Sequence, residues 1–174
     1  MYKRQPGTPW VYYGEEIGAP NGTSWGDMGR REPMLWNPGN TEFSSTEPWT
    51  GSEEAPAYTS VEEQIEAEDS LLSWYRTLIK QRREHDSLRR GSAEWLKVEP
   101  DAVALLRESA EETCLVLVPL SEESQTFTVM LPEAGTGWQS QLSEEGFDIS
   151  SEGIALTSQG GGARLLCKPE ALNP

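Results

Sequence analysis

Four consecutive apolar residues, Trp10-Val11-Tyr12-Tyr13, preceded by Pro9 and followed by the adjacent acids Glu15 and Glu16, constrain the fold more than any other stretch of the chain. β-Branched and aromatic side chains suit a strand, and an apolar run without alternation suits one buried on both faces, as in a parallel sheet. Such a strand cannot stand alone, because each backbone N–H and C=O that leaves water needs a partner. Downstream of it come a loop, helices and strands of a different kind, so the neighbours expected for it lie upstream.

From Gly18 to about Thr59 the residues turn to Gly, Pro, Asn, Ser and Thr, a loop composition. Loops this long are uncommon in compact domains unless functional, which draws attention to the arginines and tryptophans inside it. Ser60 and Glu63 stand at capping-box spacing and Asp69 or Ser70 offers a second start, so two consecutive helices are expected. In the second, Leu71, Leu72, Tyr75, Leu78 and Ile79 recur at three- and four-residue intervals and mark one packing face. His85 falls near the end of that charged helix, where the partial negative charge of the terminus suits an imidazole. From about Ser92 the period changes: AVALLRES, TCLVLVPL, QTFTVMLP, GWQSQLS, GIALTSQ and ARLLCKP are strand-like runs separated by polar, Gly or Pro turns. That is the pattern of an antiparallel β-sandwich or meander.

Charge narrows the partners. With 29 acids against 14 bases the net charge is −15, which repels phosphate backbones and anionic head groups. Neither nucleic acid nor a membrane is expected as a partner, and a neutral substrate fits better. No run approaches the roughly 20 apolar residues of a membrane span, and nothing near Met1 has the order of a signal peptide, which favours a cytoplasmic location. Cys114 and Cys167 lack the spacing of a metal site or a disulfide framework and are read as buried thiols in strands. No metal and no cofactor is expected.

The ordered set GTPWVYYGEEIG, RREPMLW, NTEFSSTEPW, SVEEQ and SLLSWYRTLIKQRREHDSLRRG resembles the C-terminal third of the α-amylase family, glycoside hydrolase family 13, over residues 7 to about 91. The look is nearest to the α-glucosidase and oligo-1,6-glucosidase branch. The resemblance implies a fold of α/β plus all-β class: the last β/α unit of a truncated (β/α)8 barrel, then an antiparallel β-sandwich. The strand around Val11 to Tyr13 would be the eighth of the barrel and the loop to Thr59 its βα-loop at the active-site face. The helix from Ser70 to about Glu84 would close the barrel. Residues 6–91 are thus read as barrel and 92–174 as C-terminal domain. Residues 1–5, MYKRQ, resemble the translation of a transposon adapter and are read as a non-native scar.

Retaining glycosidases use two carboxyls about 5 Å apart on either side of the scissile bond. Neighbouring strand residues point to opposite faces, so Glu15 and Glu16 cannot supply them together and are expected to support the loop. The family's catalytic carboxylates come from earlier strands, so no catalytic residue is assigned and the chain alone is expected to be inactive. By resemblance Arg31 lies beside the terminal glucose subsite, where its charged fork can donate to sugar hydroxyls; Arg30 is the alternative register. Trp36 and Trp49 are expected to pack under the loop rather than stack on sugar, and Trp10 to be core. The implied ligand is an α-linked gluco-oligosaccharide of the longer parent enzyme.

Glu32 and Leu35 stand where the branch motif has threonine and glutamine, so bond specificity does not carry over, and an α-amylase-type or glucan-transferring parent is the alternative. A non-catalytic carbohydrate-binding or regulatory sandwich would require an exposed aromatic row, whereas Trp95, Phe127, Trp138 and Phe147 are dispersed. A structural interaction module has no positive sign. Uncovered barrel surfaces would favour self-association.

Overall fold

The computed structural model describes residues 8–23, 25–39, 46, 59–99, 101–131, 135–143, 146–150, 153–158 and 162–170; the readings of residues 1–5 and of Trp49 lie outside these. The chain forms two compact units, Met1–Lys80 and Gln81–Pro174.

In the first unit no strand forms at Val11–Tyr13. The chain instead enters a 3-10 turn at Glu15–Ile17, bracketed by Gly14 at φ 86° and Gly18 at φ 73°, left-handed conformations that glycine adopts without penalty. The physical reason is the one that made a lone strand implausible: no described residue offers this run a hydrogen-bonding ladder. Its side chains are correspondingly uncovered, Trp10 at 87% exposure and Val11, Tyr12 and Tyr13 exposed as well. Trp10 is therefore not core here. A second 3-10 turn spans Met28–Arg30 within the expected loop.

Helix α1 (Val61–Glu66) starts where the capping box predicts: Glu63 N–H donates to Ser60 Oγ at 3.3 Å, and Ser60 N–H donates to Glu63 Oε2 at 2.8 Å. Its first two amides, Val61 and Glu62, donate to the carbonyls of Leu35 and Trp36 at 2.9 and 3.0 Å, so the orphan donors of the helix start are met by the loop. Helix α2 (Leu71–Glu84) is capped by Ser70, whose Oγ accepts from Ser73 N–H at 3.1 Å. Gln64 bolts these pieces together. Its Nε2 donates to Ile17 C=O at 2.8 Å and to Thr59 C=O at 3.1 Å, and its Oε1 accepts from Leu72 N–H at 3.1 Å, with the side chain 4% exposed. Of the apolar face expected on α2, Leu72 is buried, whereas Leu71, Leu78 and Ile79 are exposed.

The second unit carries α3 (Asp86–Arg90) and two antiparallel sheets. The strands are β1 (Glu94–Leu96), β2 (Val98–Glu99), β3 (Ala102–Glu108), β4 (Glu112–Pro119), β5 (Gln125–Val129), β6 (Gln139–Ser140), β7 (Phe147–Ser150), β8 (Gly153–Ser158) and β9 (Arg164–Pro169). One sheet runs β1-β3-β4-β9-β6 and the other β2-β5-β8-β7. A single apolar core draws Leu106, Leu115, Leu117 and Leu166 from the first and Phe127, Val129, Ile154 and Leu156 from the second. Alternation puts Cys114 and Cys167 on the opposite face of the first sheet, packed with Leu88 of α3 and Leu142.

One expectation is corrected in this unit. Cys114 and Cys167 are buried in strands but form a disulfide, because they are direct partners in the β4–β9 register with Cα atoms 4.1 Å apart. His85 lies at the end of α2, as expected, with its N–H donating to Gln81 C=O at 3.1 Å; its own backbone is extended where α2 gives way to α3, and its ring faces β4. Among the described residues no helix is long and apolar enough to cross a membrane.

Replacing Gln64 with alanine leaves Ile17 C=O and Leu72 N–H buried without partners, which is expected to destabilise the first unit by about 1–3 kcal/mol. Hydrogen exchange at the Leu72 amide should accelerate accordingly. Gln64→Glu should be as harmful, because a carboxylate keeps the acceptor for Leu72 but sets negative charge against two carbonyls.

Candidate functional site

The loop residues singled out from sequence gather in the first unit. Asp27 precedes the Met28–Arg30 turn, whose backbone closes with Arg30 N–H donating to Asp27 C=O at 3.2 Å and Arg31 N–H to Met28 C=O at 3.0 Å. That turn sets Arg31 four residues after Asp27, and the guanidinium Nη2 pairs with Asp27 Oδ2 on the surface. Arg30 ends the same turn and is exposed. Asp27 was not singled out from sequence, although its spacing to Arg31 is that of an ion pair across one helical turn.

The aromatic run and the loop are joined by Tyr13, whose hydroxyl donates to Glu32 C=O at 3.2 Å. Burial is the largest cause raising the Tyr13 phenol above its ordinary value; the neighbouring Tyr12 adds to it, and the Arg31 charge opposes it. Glu32, the departure from the branch motif, lays its side chain over Gly22: a Cβ there would meet Glu32 Oε1 at 2.0 Å. Gly22 N–H also donates to Gly29 C=O at 2.6 Å, closing the loop on itself.

Glu15 holds local backbone, its Oε2 accepting weakly from Tyr12 N–H at 3.4 Å. Glu16 is half-buried beside it, with Oε2 out of water and no hydrogen-bond partner among the described residues. In a 3-10 turn successive side chains diverge by about 120°, so the two acids do not converge on one point. The Trp36 carbonyl supports α1, but its indole is 41% exposed instead of packed under the loop.

A second polar cluster lies in the other unit. Glu112 Oε1 accepts from Ser87 N–H and Ser87 Oγ–H, both at 3.1 Å, and Oε2 lies 2.8 Å from His85 Nδ1. Burial is the largest single influence and pushes the Glu112 carboxyl up, but His85 and the two Ser87 donors together outweigh it and hold it below its ordinary value. A carboxylate only accepts, so Nδ1 carries the proton. Sequence reasoning missed this cluster: the residues are 27 positions apart and meet only through the fold.

Residues 1–91 match the family model described as "Alpha amylase, catalytic domain". Among curated proteins, "Trehalose synthase" of Thermus thermophilus is 37% identical over 136 residues, covering 72% of this chain and 14% of its own length. "Probable oligo-1,6-glucosidase 3" of Bacillus subtilis is 26% identical, covering 91% of this chain and 32% of its own length. The chain thus spans about a third or less of these relatives. Among solved structures, an α-amylase from H. orenii superposes with a TM-score of 0.72 at 25% identity, covering 93% of this chain and 32% of that one.

The depressed Glu112 carboxyl makes the second unit acid-sensitive. Its contribution is complete above the ordinary value near 4.5 and is lost as pH falls through the lower folded value. Denaturant midpoints should therefore drop below about pH 4.5, and Glu112→Gln should cost about 1–2 kcal/mol at neutral pH while flattening that acid limb.

Proposed function

Because the chain belongs to the α-amylase family, through the match of its residues 1–91 to the catalytic domain, we propose that residues 6–91 are the C-terminal end of a (β/α)8 catalytic barrel. Residues 92–174 are then a β-sandwich that comes after it. The parent is an α-glycoside hydrolase acting on α-glucosidic bonds of oligosaccharides with retention. The observation that carries this reading is that one family match takes in every motif from the aromatic run to the helices, and that glucosidase-type relatives align over most of the chain.

In this reading the chain contributes the wall of the sugar site and not its acid and nucleophile. Arg31 presents a permanently charged planar donor on the surface of the loop, paired with Asp27. Its remaining N–H groups suit the hydroxyls of a terminal glucose. The exposed Trp36 indole supplies an apolar face of the kind that sugar C–H groups cover. Glu15 and Glu16 shape the turn that follows the aromatic run.

A second reading is favoured by the higher identity to the trehalose synthase relative: an enzyme that re-forms the α-glucosidic bond on a sugar acceptor instead of on water.

The chain alone is expected to show no turnover of maltose, isomaltose or starch, since Glu15 and Glu16 diverge in a 3-10 turn and a retaining glycosidase needs two carboxyls facing one bond. Joining it to the preceding barrel of an oligo-1,6-glucosidase should restore activity, and Arg31→Ala there should weaken kcat/KM by about 1–3 kcal/mol. Turnover by the chain alone that vanished in Glu15→Gln or Glu16→Gln would overturn the reading. In the restored enzyme, a non-reducing disaccharide from maltose in place of glucose would select the second reading.

A further inference from the structure

We propose that Cys114, Cys167, His85 and Glu112 form a metal site that exchanges with the disulfide: when the disulfide is reduced, these four side chains bind one divalent ion of the Zn2+ class. One donor atom from each already lies within 4.8 Å of the others, and no ion is present. The fold brings them together by three independent devices. Glu112 and Cys114 are two apart on β4 and so share a face. Cys167 is the direct register partner of Cys114 across the β4–β9 ladder. His85 is delivered by the break between α2 and α3, and α3 contributes Leu88 to the packing around both cysteines.

The donor set is what makes the ion specific. Two thiolates with one imidazole and one carboxylate are the ligand types of tetrahedral zinc, at bond lengths of about 2.0–2.3 Å, and are too soft for calcium or magnesium. Glu112 keeps Oε1 engaged by Ser87 while Oε2 faces the cluster, so one oxygen is anchored and the other is presented. Charge is eased by Arg107, the register partner of Cys114 on β3, which sits on the same face as a buried cation. A neighbouring cation favours thiolate over thiol. His85 and Glu112 side chains are 15% and 17% exposed, which leaves the cluster a route to solvent.

The exchange balances. A dithiol attacks one sulfur, the S–S bond breaks, the two electrons and two protons of the dithiol end on Cys114 and Cys167, and the reagent leaves as its own disulfide. The metal ion then displaces both thiol protons to water and forms two metal–sulfur bonds, with a ring nitrogen of His85 and Glu112 Oε2 completing four. In either state β4 is fastened to β9; in the metal state the hydrogen bond by which His85 ties the α2–α3 junction to Glu112 is replaced by coordination of both side chains to one ion.

The test uses the whole chain, reduced with dithiothreitol, desalted under nitrogen and titrated with Co2+ and then Zn2+. The expected result is saturation at about one equivalent with sulfur-to-cobalt charge-transfer and tetrahedral d–d bands, displaced by Zn2+. The oxidised chain should show neither band. Cys167→Ser should abolish the charge-transfer signal, and His85→Ala and Glu112→Gln should each weaken binding roughly tenfold or more, with circular dichroism confirming the fold. Cobalt held by scattered acids of this −15 chain would give no sulfur band. Absence of that band in the reduced wild-type chain would overturn the proposal, and that measurement decides even where a variant does not fold. Undiminished affinity in both His85→Ala and Glu112→Gln would overturn the four-donor assignment.

Discussion

The first unit depends on one buried amide. Gln64 uses both ends of its side chain, donating to Ile17 and Thr59 and accepting from Leu72. It thereby joins the turn after the aromatic run to the starts of both helices. A charged side chain could do only half of this, and an apolar one would orphan a donor and an acceptor in the interior. The loop enters the same arrangement from the other side, since the carbonyls of Leu35 and Trp36 cap α1. The position of the RREPMLW segment is therefore fixed through backbone hydrogen bonds to a helix end, while Arg30, Arg31 and Trp36 keep their side chains at the surface. That separation suits a ligand-binding loop: a rigid main chain carrying displaceable side chains.

The second unit depends instead on β4, which pairs with β3 on one side and β9 on the other. Its inward residues Leu115 and Leu117 belong to the core shared by the two sheets, and its outward residues Glu112 and Cys114 organise the opposite face. One strand thus supplies both the packing that holds the sheets together and the polar anchor for α3. A glycine makes the last step possible. A Cβ on Gly91, just after α3, would lie 2.5 Å from the carbonyl oxygens of both Ser87 and Glu108, so only glycine lets the chain leave the helix this close to β3.

How much of the fold could be read from the sequence depends on the range of the forces involved. The capping box at Ser60 and Glu63, the start at Ser70, and the strands β3, β4, β5, β6, β8 and β9 are encoded by residues within a few positions of one another, and they form where their patterns lie. The short strands β1, β2 and β7 were not anticipated, because two to four residues carry too little alternation to mark a period; β6, equally short, lies inside the longer GWQSQLS run. The disulfide and the Glu112–His85 contact were invisible for a different reason: both depend on register and on where a helix breaks, which no local pattern states. The aromatic run is the instructive case. Its composition is that of a buried strand, yet a strand exists only by pairing, and without a ladder the same residues turn after Tyr12 and remain in solvent. In the loop, Arg31 was legible as a candidate through motif resemblance, whereas its partner Asp27 and the tie from Tyr13 to Glu32 required the fold.

The arginines divide by what they serve. A chain with 29 acids offers carboxylate partners throughout. Several arginines also serve the backbone: the buried Arg164 donates to the carbonyls of Thr157 and Gly146, Arg107 to Gly91 and Arg82 to Leu88. A planar fork with several N–H donors can reach such main-chain carbonyls from a side chain. Arg31 belongs to the other class. It is exposed, and the acid it pairs with is exposed too, an interaction that water and salt weaken to a fraction of a kcal/mol or little more. A cation held that loosely is not a structural clamp. Breaking the Arg31–Asp27 pair therefore costs the fold little, in contrast to removing the backbone contacts of the buried arginines.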